Sequence, residues 1–157
     1  MNFWYFAALS LLIASASPAR ATLGRDLSSV EHTRRAFAGV RLQTVDRSGF
    51  SVHEIATGGI SVREYVGPDG QVFGVGWNGP VQPDLEPILG DYAADLRAAV
   101  RTNRAEREFV PVRIRHAQSV LRGDRLTLEK YGRPGRQGGR AYLPARIPAG
   151  VRVDAIR

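Results

Sequence analysis

Two adjacent glycines constrain this chain more than any other feature. In FSVHEIATGGISVREYV, residues 50–66, Gly58-Gly59 separates two runs rich in β-branched and aromatic residues. Glycine reaches the positive-φ backbone that a two-residue hairpin turn requires, and the flanking runs suit a pleated, half-buried surface. Such a turn sets Thr57 opposite Ile60, Ile55 opposite Val62, Glu54 opposite Arg63, His53 opposite Glu64 and Val52 opposite Tyr65. The next break is Pro68-Asp69-Gly70. Pro presets φ at the first turn position, Asp bonds its local backbone and Gly takes positive φ. A three-residue turn there pairs Gly67 with Gln71, Tyr65 with Phe73, Arg63 with Val75 and Ser61 with Trp77. Side chains alternate along a strand, so this register gathers Phe50, Val52, Tyr65, Phe73, Val75 and Trp77 on one apolar face. The other face receives Ser51, His53, Ile55, Val62, Glu64, Val66, Val72, Gly74 and Gly76, where two glycines admit close approach by another element.

Around this sheet the helical signals are few. Ser28 with Glu31 three positions later reads as a capping box, and Gly39 as the stop of a short helix bearing Val30, Arg34 and Phe37 on one face. The principal helix starts at Pro83-Asp84-Leu85-Glu86, with Asp84 as N-cap and Leu85, Ile88, Leu89, Tyr92, Leu96 and Ala99 at helical spacing. Pro87 is tolerated in the first turn. Acidic Asp84, Glu86, Asp91 and Asp95 come early and Arg97, Arg101 and Arg104 late, an order that suits the helix dipole. Gly90 lies inside the pattern, a place for close approach to the sheet. Beyond it, residues 109–115, 119–121 and 125–131 read as strands, Gly123-Asp124 as a turn, and residues 133–139 as a polar glycine-rich loop. Residues 140–143 form a last short strand, and Pro144 and Pro148 imply an irregular tail. The expected fold is α+β: a small antiparallel sheet of three to six strands with one principal helix packed on a face.

The first residues stand apart. NFWYFAALSLLIASASPARA is an apolar run followed by small residues, and Ala19-Arg20-Ala21 places small side chains where a signal peptidase reads them. The expected division is a signal peptide over residues 1–21 and a single α+β domain over residues 22–157. The apolar stretch 3–16 falls short of the ~20 residues a spanning helix needs, and an uncleaved N-terminal membrane anchor is the rival reading. Export places the chain in the periplasm or outside the cell. The absence of cysteine removes disulfides, thiol catalysis, cysteine-ligated zinc and a lipidated cysteine. A net charge of +7, carried almost wholly by arginine, suits an anionic lipid, a polysaccharide or an acidic protein. Nucleic acid is not expected as a partner of an exported chain.

Candidate chemistry is sparse. His53 facing Glu64 is the one pair with proton-transfer potential, because a carboxylate beside an imidazole tunes it near neutrality. The same pair equally serves as a cross-strand contact, and Ser51, two residues from His53, completes no secure triad. No catalytic set is assigned. His32, His53 and His116 lie far apart, no HExxH or calcium loop is present, and Asp69 is explained by its turn; no metal and no cofactor is expected. RPGRQGGR lacks the spacing of a phosphate-binding loop, though Arg133, Arg136 and Arg140 would form an anion patch if it folded back. Tyr65, Phe73 and Trp77 fit a core, with Trp77 and neighbouring Asn78 at the strand end as a possible ligand or partner surface.

These residues carry a family resemblance. VREYVGPDGQVFGVGWNGPVQPDLEPILGDY, residues 62–92, resembles the central signature of the bacterial exported-protein family called domain of unknown function 2844. GRAYLPARIPAGVRVDAIR, residues 139–157, resembles that family's C-terminal segment, and an N-terminal signal peptide is typical of it. The block between the principal helix and Gly139 fits less distinctly. The resemblance implies export and transfers no activity. Three functions are then in play: a non-enzymatic envelope or secreted binding or assembly factor, a small enzyme on an envelope polymer using the His53–Glu64 pair, and a module binding anionic lipid or polysaccharide through the late arginines. The first predicts an exposed sheet edge or apolar groove for an envelope protein or polymer.

Overall fold

Among the described residues, seven antiparallel strands, not three to six, form one sheet in the order β1-β2-β3-β4-β7-β6-β5. The computed structural model describes residues 23–106, 119–123 and 125–157. The signal segment, the strand expected at 109–115, His116 and Asp124 lie outside the described residues. The strands are β1 Val40–Arg47, β2 Phe50–Thr57, β3 Ile60–Val66, β4 Val72–Gly79, β5 Ser119–Arg122, β6 Thr127–Arg133 and β7 Arg136–Tyr142. Strand β1 is not among the expected strands, and β7 is longer than the short strand expected at residues 140–143. Strand β1 enters through a Ser48-Gly49 turn that sets Arg47 opposite Phe50, with Gly49 at φ 84°. Strand β7 extends the short strand expected at 140–143 back into the expected glycine-rich loop: Pro134-Gly135 is a tight turn, residues 136–139 pair with β6, and residues 137–139 also pair with β4.

The first hairpin has the register that its Gly-Gly turn dictates, from Thr57–Ile60 through His53–Glu64 to Val52–Tyr65. The second does not. A β-bulge at Phe73 sets Tyr65 opposite Gly74, Glu64 opposite Val75, Arg63 opposite Gly76 and Val62 opposite Trp77. One inserted residue moves every later side chain of the strand to the other face. Phe73 therefore stays with Tyr65, whereas Val75 and Trp77 cross to the face of Ile55 and Val62, and Gly74 and Gly76 take their place.

That exchange gives the sheet two covered faces. On one, α1 (Ser29–Ala36) and the broken principal helix bury Leu23, Val30, Ile88 and Leu89 against Ile55, Val62, Val75, Trp77, Leu128 and Ala141. On the other, the segment 144–157 lays Ile156 against Tyr65, Phe73 and Tyr142, with Phe50, Val52, Val151 and Val153 around them. The Trp77 indole lies across Gly139 of the neighbouring strand, so that a Cβ on Gly139 would sit 2.8 Å from Trp77 Cε2 and 2.6 Å from the Glu129 carbonyl oxygen.

Local helix chemistry differs from expectation in four places. Gly90, at φ 45°, interrupts the principal helix: α2 (Glu86–Leu89) ends there, a 3-10 turn follows, and α3 runs Ala93–Glu106. Asp84 is not the N-cap: Leu85 holds that position without a side-chain cap bond, and Asp84, one residue before it, accepts the Glu86 N–H at 3.0 Å. Ser28 makes no side-chain cap bond; Asp26 Oδ1 accepts its N–H at 3.0 Å instead. Helix α1 closes with Ala38, at φ 47°, in the left-handed position glycine usually fills, and Gly39 one residue later returns its N–H to Arg34.

Candidate functional site

The bulge builds the sheet face on which the candidate site lies. Across four strands, Arg63, Gly76, Arg140 and Glu129 stand in one row, and Tyr65, Gly74, Tyr142 and Thr127 in the next. Each row thus has a glycine gap at β4 flanked by two large polar side chains. The segment 144–157 occupies the gap. A Cβ on Gly74 would lie 2.9 Å from Ile156 Cδ1, and one on Gly76 would lie 2.9 Å from the Arg157 backbone. Backbone recognition holds it there. Arg63 donates to the Arg157 oxygen at 2.8 Å and Tyr65 to the same atom at 2.7 Å, while the Arg157 N–H returns a bond to the Tyr65 hydroxyl at 2.9 Å. From the other side, Arg140 donates to the oxygens of Val153 at 2.9 Å and Ile156 at 3.2 Å. Burial pushes the Tyr65 hydroxyl above its ordinary value, against the Arg157 backbone bond and nearby guanidinium charge, so it stays neutral and serves as both donor and acceptor.

Beside this segment, towards the β1 edge, a cleft of about 510 Å³ opens. Gln43, Val45 and Arg47 of β1, Phe50, Val52 and Glu54 of β2, Arg63 and Tyr65 of β3, and Ala155 and Arg157 line it. Period-two alternation aims Gln43, Val45 and Arg47 to this face. Phe50, half-buried, rests against Tyr65 at 6.0 Å and edge-on to Phe73 at 6.1 Å. Glu54 is tied by Ser61 at 2.5 Å, Gln43 at 3.1 Å and Arg63 at 3.3 Å. The Ser61 hydroxyl, with Gln43 and Arg63, holds its carboxyl below the ordinary value of 4.5 against the opposing pull of burial. A depressed carboxyl contributes stability above its unfolded pKa and loses it as pH falls through the folded one. Glu54→Gln is accordingly expected to melt below the parent at neutral pH, with the gap closing as pH drops below about 4.5; thermal melts across pH test this, and a pH-independent gap rules it out.

The sequence candidates are distributed over different surroundings. His53 and Glu64 do face each other, but they are 5% and 0% exposed. Thr44 Oγ1 lies 3.0 Å from His53 Nδ1 and Ser51 Oγ 3.2 Å from Nε2, so both ring nitrogens are engaged by hydroxyls of the sheet. Trp77, 1% exposed, belongs to the core and not to a ligand surface, because the bulge turns it under the helices. Asn78 is exposed opposite Gly138, and Arg133 and Arg136 face one another, exposed, where the β6–β7 hairpin turns. Arg140 does not join them in an anion patch: it is clamped to Glu129 at 2.7 Å and to the 144–157 backbone. Asp69 accepts the Gln71 N–H at 3.0 Å, as its turn requires.

The sequence reading missed Gln43, Arg47 and Arg157 as site residues. The β-branched Val40, Thr44 and Val45 ahead of Ser48-Gly49 are the local signal for the strand that carries the first two, whereas Arg157 enters only through contacts more than ninety residues apart in the chain. Among the described residues, no three His, Cys, Asp or Glu side chains group as metal ligands, and no helix is long and apolar enough to cross a membrane.

Fold and site together define a small α+β protein with an arginine-bordered cleft next to an edge strand. The chain matches the family model described as protein of unknown function (DUF2844) over residues 19–156, and it belongs to that bacterial exported-protein family. The matched span takes in the second hairpin, the glycine gap and Ile156. No curated protein and no solved structure matches the chain.

Proposed function

We propose that this protein is a non-enzymatic binding or assembly factor of the bacterial envelope or secreted space, acting in the periplasm or beyond it after loss of residues 1–21. The observation that carries the reading is the cleft of about 510 Å³ beside β1, where an aromatic ring, an aliphatic pair and arginines share one concavity. Strand β1 pairs with β2 alone among the described strands, and Val40 is 65% exposed, so the edge is accessible for pairing. A general acid or base must reach its substrate; the burial of His53 and Glu64 weighs against the enzyme alternative. Binding of anionic lipid or polysaccharide through the late arginines loses Arg140, which is already engaged, and rests on Arg133 and Arg136.

A photo-crosslinking residue at Gln43, expressed in the native host, tests the reading. The expected result is a recurrent adduct with one envelope component that is absent when the crosslinker replaces exposed Arg101 of α3, a helix packed on the opposite face of the sheet. Equal adducts at both positions, or none at Gln43, overturn it.

A further inference from the structure

We infer that the β1 edge and its cleft bind an extended acidic peptide segment of a partner protein, added to the sheet as a further strand. The inference rests on the binding-factor reading above and specifies its ligand. A bulge between Arg41 and Gln43 breaks the pairing row of β1, leaving residues 43–47 in continuous register with β2. Gln43, Thr44, Asp46 and Arg47 are all exposed, so the stretch is reachable from solvent. Bulges and charged side chains are the usual protection of a sheet edge against promiscuous pairing, and they leave a short segment for a chosen one. A strand laid along residues 43–47 satisfies its backbone on the edge and directs alternate side chains towards the cleft.

The cleft then reads those side chains. Phe50, Val45 and Val52, each half-buried, offer an apolar seat. Charge decides the rest. Glu54 is already neutralised by Arg63, whereas no ion pair among the described residues engages the exposed side chains of Arg47 and Arg157. Two guanidiniums flanking an apolar seat are complementary to carboxylates, because arginine binds a carboxylate in a two-point geometry. The chain itself uses backbone recognition on the same face, where Arg63 and Tyr65 hold the extended Arg157 backbone. A peptide with acidic residues alternating with apolar ones therefore meets its hydrogen-bonding, apolar and charge requirements in one place. A saccharide acid would meet only the charge requirement and leave the edge unpaired.

A short synthetic peptide alternating Glu with Val, carrying a fluorophore, tests this by anisotropy against residues 22–157. A Lys–Val peptide and a polyuronate serve as competitors. Binding of the acidic peptide alone is expected, with at least a tenfold loss in Arg47→Glu and Arg157→Glu, whose side chains are exposed and whose melting is expected to match the parent. The double charge reversal is expected to accept the Lys–Val peptide instead. Amide exchange is expected to slow in residues 43–47 on peptide addition. Failure of the acidic peptide to bind, affinity unchanged by both reversals, or protection elsewhere overturns the inference. Displacement of the peptide by polyuronate at equal charge concentration, without protection of β1, reassigns the cleft to saccharide acids. A Gln43 crosslink in the envelope with no peptide binding defeats this inference while leaving the binding-factor reading intact.

Discussion

Gly139→Val is expected to leave little folded protein, at a cost on the order of 3 kcal/mol or more, because the new side chain enters a filled space. A Cβ alone would lie 2.8 Å from Trp77 Cε2 and 2.6 Å from the Glu129 carbonyl oxygen. Neither neighbour yields easily. Trp77 is 1% exposed beneath the helices, and the carbonyl belongs to the paired strand β6. Backbone freedom is not the issue, since Gly139 is absent from the positive-φ glycines. Gly58→Ala is the control: its φ is 52°, nothing lies within 4 Å of its Cβ, and a left-handed alanine costs about 1 kcal/mol. Chemical denaturation of Gly139→Ala with and without Trp77→Leu separates sterics from other causes. The pair is expected to be non-additive, the smaller side chain relieving the indole's share of the clash and leaving that with the Glu129 carbonyl. Additive costs would show that the indole does not set the requirement for glycine.

The second large effect is expected from Arg140→Ala. Arg140 and Glu129 are 18% and 13% exposed, and Tyr142 donates to the same carboxylate at 3.1 Å. Removing the guanidinium strands a poorly hydrated carboxylate and two backbone oxygens, those of Val153 and Ile156. Breaking a buried pair from one side costs about 3 kcal/mol or more, and the residual exposure places this case near the lower figure. The loss is also expected to be local. Amides of residues 151–157 should exchange faster than those of β2 and β3, because Arg140 is one of the two sides holding that segment. Ala155 and Arg157 form one wall of the cleft, so peptide binding should weaken in parallel. Unchanged exchange in residues 151–157 would mean that Ile156 packing alone holds the segment.

How much of this was legible beforehand differs by element. The Gly58-Gly59 hairpin was fully readable, since a two-residue turn sets its register by itself. The pairing of His53 with Glu64 and of Glu54 with Arg63 followed from it. Asp84 as a helix-starting acceptor was equally local. Strand β1 was obscured because its bulge between Arg41 and Gln43 breaks the alternation of residues 40–47, and the first half of β7 was hidden because its glycines imitate a loop, whereas residues 140–143 read as a strand. Gly138 and Gly139 are in fact strand residues whose missing side chains make room for Tyr131 and Trp77.

The candidate site was legible only in part. Arg63 and Tyr65 belonged to the recognisable signature, yet their partners did not follow from it. Two glycines at alternate positions signalled a close approach, but not by which element and not on which face.

By itself, then, the sequence determined the α+β class, the first hairpin, the start of the principal helix and the family, because turns, caps and alternation act over a few residues. Only the tertiary structure decided that Phe73 bulges, that Trp77 and Val75 lie under the helices, and that Gly74 and Gly76 receive Ile156 and Arg157. The physical reason is that a bulge exchanges the two faces of a strand with little local signature. Which face wins depends on filling two cores at once, and one of those cores is closed by residues at the far end of the chain.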